Sequence, residues 1–216
     1  MTPRPRTATD AQVLAAAMRA MSSLGPARLT LADVAGEAGL SPATLVQRFG
    51  SKRGLLLAVA KLGADAADAC FTGARAAHSS SPLDALVFAA TEMTRYMKSP
   101  EEVANGLAFL QMDVSDPDFH RHARQGARRT LAGYRALLDD AILAGELAPC
   151  DTAGLARAVS SLSGGSLLAW AIAREGSAEA WVRGDIALLL DPYRQSAPGK
   201  RRRPPIREST RRARRP

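Results

Sequence analysis

Apolar positions along this chain recur at helical spacing, and no period-two alternation competes with them. Leu14, Ala17, Met18, Met21 and Leu24 form a first stripe that ends at Gly25-Pro26, with Thr9 or Asp10 placed to cap its start. Leu31, Val34, Ala35 and Ala38 then repeat at i, i+3, i+4 and i+7, behind a capping Thr30 and with Asp33 in the first turn. Gly39 sits where a helix ends with positive φ, Leu40 can plug back into a core, and Ser41-Pro42 reads as a cap and first-turn proline. Leu45 and Phe49, four apart, anchor the next helix inward and leave Pro42, Ala43, Thr44, Val46, Gln47 and Arg48 facing out or sideways. Two short helices joined by about three residues have the spacing of a helix-turn-helix, the plain alternative being an ordinary helical hairpin. Ser51 caps a further helix, in which Leu55, Leu56, Val59 and Leu62 lead through an Ala-rich stretch toward His78.

Beyond Ser79-Ser80-Ser81-Pro82 the helices lengthen. The pattern predicts helices at about 82–97, 100–114, 117–145, 152–175 and 178–191, with Asp116-Pro117 a second cap and first-turn proline. The fold class is therefore all-α. We divide the chain into a basic arm at 1–8, expected to be flexible, and a helix-turn-helix domain at 9–55. A larger C-terminal helical domain follows at 56–194, and a basic tail at 195–216.

Val13-Leu14-Ala15-Ala16-Ala17, Gly25, Thr30-Leu31-Ala32-Asp33-Val34-Ala35, Ala38-Gly39-Leu40-Ser41, Thr44-Leu45, Phe49, Ser51-Lys52 and Leu55-Leu56 resemble the N-terminal domain of the TetR family of bacterial transcriptional regulators. The resemblance covers about the first sixty residues. It implies nine helices, a homodimer that binds a near-palindromic operator in double-stranded DNA, and repression that ends when a small molecule occupies the C-terminal domain.

Carried over by position, the resemblance makes Thr30, Thr44 and Lys52 phosphate contacts and puts Pro42, Ala43 and Gln47 nearest the bases. Gln47 is the expected reader, because its amide can pair with both N6 and N7 of adenine. One departure stands out. Family members usually carry an aromatic after the leucine of the second helix, and often histidine or tyrosine two positions later, where this chain has Val46 and Arg48. Arg48 can bond a phosphate or read a guanine edge through its fork, and we expect the phosphate.

Charge sharpens the division. Residues 1–62 hold eight Lys and Arg against three acids, residues 63–194 twelve against seventeen, and residues 195–216 nine against one. A basic end, an acidic middle and a very basic tail fit a molecule that holds DNA at one pole. In the arm, Arg4 and Arg6 can reach a minor groove or simply fray in solvent. From Pro198 on, the tail has nothing to bury apart from Ile206 and Ala213, so we expect it to be disordered and to add non-specific phosphate contacts, the alternative being a solvated extension without effect. Two cysteines, Cys70 and Cys150, make no disulfide framework. No secretory leader is evident and no apolar run looks long enough for a membrane helix, so a cytoplasmic protein is expected.

Phe71, Phe88, Met93, Tyr96, Met97, Phe109, Met112, Phe119 and Tyr134 concentrate aromatic and methionine side chains in the middle helices. They are core packing or, as a group, the lining of a pocket for a small, largely apolar effector; all but Phe119 are taken as candidates. Leu155, Val159 and Leu162 run into Gly164-Gly165, and Val182, Ile186 and Leu189 give the last helix a matching face. Two mid-helix glycines cost about 1 kcal/mol each unless a close neighbour compensates, and the resemblance implies that the last two helices pair with their symmetry mates, so we assign these residues to a two-fold interface, against the alternative of a kink. Asp113, His120 and His122 lack metal-ligand spacing, no cofactor is implied, and no activated nucleophile or phosphate-cradling glycine loop supports an enzyme. The expected function is a ligand-released, sequence-specific regulator; an architectural DNA-coating protein that uses the tail, without effector, is the second reading.

Overall fold

Capping chemistry sets the first elements. In a computed structural model that describes residues 8–195, apart from the side chains of Met93 and Tyr96, helix α1 spans Asp10–Arg28. Its cap is reciprocal: the Thr9 N–H donates to Gln12 Oε1 at 2.9 Å while the Gln12 N–H donates to the Thr9 hydroxyl at 3.3 Å. Gly25 breaks α1 at φ 74° and ψ 159°, ahead of Pro26. The break frees carbonyls that the helix no longer uses, and Asn105 Nδ2 donates to those of Ser22 at 2.7 Å and Ser23 at 3.1 Å.

Helices α2 (Leu31–Ala38) and α3 (Pro42–Phe49) follow, joined through Gly39 in the left-handed region, with the Leu40 N–H donating to Ala35 O at 2.9 Å. Helix α4 runs without interruption from Lys52 to Ala77, so one rod belongs to both halves of the molecule. Val13, Ala17, Leu29, Val34, Ala35, Leu45, Leu55 and Val59 close the N-terminal core, and Phe119 enters it from the C-terminal half, fully buried. A buried phenylalanine is worth ~1.5–3 kcal/mol, so this ring ties the two halves together.

The C-terminal body consists of α5 (Pro82–Glu92) with a 3-10 turn at Met93–Tyr96, α6 (Pro100–Ser115), α7 (Pro117–Leu143), α8 (Thr152–Ala173) and α9 (Ala178–Leu190). The described residues thus form nine α-helices and no sheet, with boundaries within a few residues of those the pattern predicts. A second core collects Phe71, Leu86, Tyr134, Leu137, Leu138, Val159, Trp170, Val182, Ile186 and Leu190. After α9 the chain returns to the turn between α7 and α8: the Ala148 N–H donates to Tyr193 O at 2.8 Å and the Gln195 N–H to Glu146 O at 3.0 Å. That turn lies at the far end of α7 from the N-terminal domain, and a 27-residue helix is about 40 Å long.

Candidate DNA-binding surface and effector cavity

Helix α3 is held by two side chains. Leu45 is fully buried and Phe49 half-buried, while Ser41 caps the helix by accepting the Thr44 N–H at 3.2 Å. With that face fixed, Pro42, Ala43, Val46 and Gln47 lie exposed on the other. Ala43, Val46 and Gln47 are spaced i, i+3 and i+4 and share one surface. Val46, expected to face out or sideways, is 47% exposed there, an apolar contact of the kind a thymine methyl accepts, although the sequence reading gave it no role in base contact.

The expected phosphate contacts differ in freedom. The Thr30 hydroxyl donates to Asp33 Oδ2 at 2.7 Å and accepts the Asp33 N–H at 3.2 Å, so it is occupied with capping α2. The same hydroxyl, then the Thr30 N–H, holds the Asp33 carboxyl below its usual range. Thr44 is half-buried, with its hydroxyl 2.9 Å from Ser41 Oγ. Lys52, in the first turn of α4, donates from Nζ to Ala27 O at 2.9 Å and keeps two further ammonium donors. Arg48 turns away from the outer face: its Nη1 donates to Ala8 O at 2.6 Å and lies 3.3 Å from Asp10 Oδ1. The phosphate role expected of Arg48 is not what this geometry favours, because backbone at the start of α1 already holds the guanidinium.

Below α3, Arg53 joins the halves. Its Nη2 donates to Asp116 at 2.9 Å and to Asp118 at 2.9 Å, and its guanidinium lies 5.7 Å from the Phe119 ring centroid. Arg53 is the main cause that holds both carboxyls below their ordinary values.

The expected pocket residues divide. Phe71 and Tyr134 meet edge to face, centroids 5.0 Å apart, and line a cavity of about 460 Å³ together with Gly63, Ala66, Ala67 and Cys70 of α4, Ala89 and Glu92 of α5, and Thr130 of α7. Burial pushes the Tyr134 hydroxyl up to about 12, and burial, then the Glu92 charge, raises the Cys70 thiol. Phe88 is half-buried beside the His78 ring, 5.1 Å away, and Met97 packs on the same core without lining the cavity. Phe109 and Met112 lie away from this cavity: both pack on the N-terminal core, Phe109 edge to face with Phe119 at 5.9 Å, because α6 lies along α1, and Met112 lines a separate cleft of about 550 Å³ with Pro26, Lys52, Arg53 and Gln111. The side chains of Met93 and Tyr96, the arm up to residue 7 and the tail from residue 196 lie outside the described residues.

The expected interface residues divide as well. Leu155, Val159, Val182 and Ile186 are buried in their own subunit, so they face the α8–α9 core and not a partner. Leu162 and Leu189 are half-buried on the edge of that core. Gly164 and Gly165 are exposed, and a methyl built at either meets no atom within 4 Å. Beside them stand exposed apolar side chains, Leu168 and Ile172 on α8 and Leu188 on α9. Contrary to the sequence expectation, α8 has the length and composition of a spanning helix, with a mean hydropathy of 1.2 over its most apolar window. Its inner side packs in the core through Leu155, Val159, Leu167 and Trp170.

A helix-turn-helix with a bare outer face, mounted on a helical body with a cavity in its side, is the architecture of a DNA-binding regulator. Residues 13–59 match the family model described as bacterial regulatory proteins, tetR family. Solved structures with the same architecture include the TetR-family regulator PfmR from Thermus thermophilus, 24% identical, covering 83% of this chain and 97% of that one with a TM-score of 0.59. A TetR transcription regulator from Haloarcula marismortui is 19% identical, covering 86% and 98% with a TM-score of 0.66. The fatty acid degradation regulator FadR from Bacillus halodurans is 15% identical, covering 86% and 100% with a TM-score of 0.64. No curated protein sequence matches the chain. The match to the TetR family model is confined to residues 13–59, and the chain as a whole shares the fold of these regulators.

Proposed function

We propose that this protein is a dimeric, sequence-specific repressor of the bacterial cytoplasm that leaves its operator when a small molecule fills the cavity between α4, α5 and α7. The observation that carries the reading is the outer face of α3, where Ala43, Val46 and Gln47 stand exposed on a helix pinned by Leu45 and Phe49. Gln47 pairs with adenine, Val46 and Ala43 meet thymine methyls, and Lys52 with the edge residues Thr44 and Pro42 sets the helix against the backbone. Thr30 contributes by holding α2 in place.

Dimerisation through Gly164, Gly165, Leu168 and Ile172 of α8 with Leu188 of α9 covers the apolar face that the subunit leaves open, and removes the need for a membrane to cover it. Two recognition helices then enter successive major grooves about 34–36 Å apart. The cavity favours a largely apolar effector, and the acidic side chain of Glu92 on its wall favours one with a cationic end. To empty the operator nearly completely, that molecule must prefer the released state about 10⁴-fold.

Selection of bound duplexes from a random DNA pool, on the full chain and on residues 1–198, tests the reading. A palindrome recovered by both gives the operator with which to screen effectors. No enriched motif from either would replace the regulator with a DNA-coating protein.

A further inference from the structure

Helix α7 carries a run of positive charge that its neighbours only half answer. Between Asp118 and Asp139 the sequence has five arginines and no acidic residue, although residues 63–194 as a whole hold more acids than bases. Arg121, Arg124 and Arg128 are spaced three and four apart, so they stand on one face of α7 over about 10 Å, and all three are exposed. With His120 and Arg129 they line a cleft of about 570 Å³, and no carboxylate lines it among the described residues. Two of the four guanidiniums are already held. Arg129 Nη1 donates to Asp65 Oδ1 of α4 at 2.7 Å, and Arg121 Nη2 donates to Asp118 Oδ1 at 3.0 Å. Arg124 and Arg128 have neither a hydrogen-bond nor an ion-pair partner among the described residues. Like charges four apart on a helix repel, so the subunit bears this pair at a cost that an anion between them would remove.

We infer that the cleft is a binding site for a small polyanion with adjacent phosphate groups, gripped by Arg124 and Arg128 and flanked by Arg121. Each guanidinium presents parallel N–H donors that match two phosphate oxygens, and two such forks on successive turns suit neighbouring phosphate groups better than a lone carboxylate. Its volume falls within the range of about 300–1,000 Å³ usual for small-molecule sites. The cleft shares no lining residue with the cavity between α4, α5 and α7, so it is a second site and does not rest on the DNA-binding reading.

The full chain, the double variant Arg124→Gln with Arg128→Gln, and Arg135→Gln are titrated calorimetrically at matched ionic strength. The titrants are inorganic pyrophosphate, citrate and a short duplex of arbitrary sequence. Arg135 lies outside the cleft, 3.8 Å from Asp139, and controls for the loss of charge alone. The nine cations of residues 195–216 are common to every chain and cancel in the comparison. Thermal melts show that each variant is folded, and phenylglyoxal labelling read by mass spectrometry maps the guanidiniums that the bound anion covers.

Pyrophosphate is expected to bind the full chain saturably, the double variant about tenfold or more weakly, and Arg135→Gln within about twofold of the full chain. Arg124 and Arg128 are then shielded from phenylglyoxal while Arg135 is not. No pyrophosphate binding, equal affinity in all three chains, or labelling that pyrophosphate does not slow would overturn the inference. Citrate bound as tightly as pyrophosphate would overturn the preference for phosphate. A double variant that loses affinity for the duplex alone would make the strip a nucleic-acid surface instead of a small-molecule site. No titration uses an operator, so a failure of the regulator reading leaves each result readable.

Discussion

Replacing Gly164 and Gly165 together by alanine gives opposite results according to what covers α8. Each glycine is mid-helix and exposed, and an added methyl meets no atom of its own subunit within 4 Å. In a subunit whose α8 faces water, the gain is helix propensity alone, about 0.8–1 kcal/mol per position. Two positions give about 2 kcal/mol, which for a chain of this size raises Tm by roughly 4–8 °C. Across a two-fold interface the same change inserts four methyls into a close contact. Overpacking costs about 1–3 kcal/mol for each, so the dimer loses at least ~4 kcal/mol and Kd rises a thousandfold or more. Sedimentation equilibrium and melts at several protein concentrations read both quantities. We expect monomers whose melting no longer depends on concentration. A double variant that remains an equally tight dimer and melts higher at every concentration would refute the interface on α8.

Three further outcomes follow from the geometry. Gln47→Ala should relax preference at one base pair by about 1–3 kcal/mol and leave the salt slope unchanged, as read by competition with single-base operator variants; unchanged base preference would remove Gln47 from readout. Gly133→Ala places a methyl 2.2 Å from Phe71 Cδ2 and drives that ring toward the cavity, so effector response should fall while operator affinity in its absence holds, at a net stability cost of ~1–3 kcal/mol; an undiminished response would show that the effector binds elsewhere. Asp116 and Asp118 are held below their ordinary values by Arg53, so their contribution is complete above about pH 4, the unperturbed carboxylate value, and is lost as pH falls through the lowered values. Arg53→Ala should move acid unfolding to higher pH, followed by near-ultraviolet circular dichroism, and an identical midpoint would deny the clasp any role.

The N-terminal half was legible because its signals are local. Thr30 with Asp33, Gly39, and Ser41 with Pro42 each act within four residues, and the structure closes each as the sequence implies. Which residues of α8 face outward was not legible, for a reason equally physical. That helix carries apolar or small residues on nearly every side, and its buried Ser163 and Ser166 satisfy their hydroxyls on the Val159 and Leu162 carbonyls, so polarity does not mark the outward face. Phe109 and Met112 resemble pocket residues by size and type, but only the contact of α6 with α1 decides which core receives them. Arg48 is the same kind of case. Its partner is forty positions away, beyond the reach of any spacing rule.

The return of the chain to the α7–α8 turn places Gln195 at one pole of the molecule, about 40 Å, the length of α7, from the junction with the N-terminal helices. The two backbone bonds there, from the Ala148 N–H to Tyr193 O and from the Gln195 N–H to Glu146 O, close the end of α9 onto that pole. A pair of probes on Asp118 and Gln195 therefore spans the body from end to end, and reads a change in its length independently of what happens at α3.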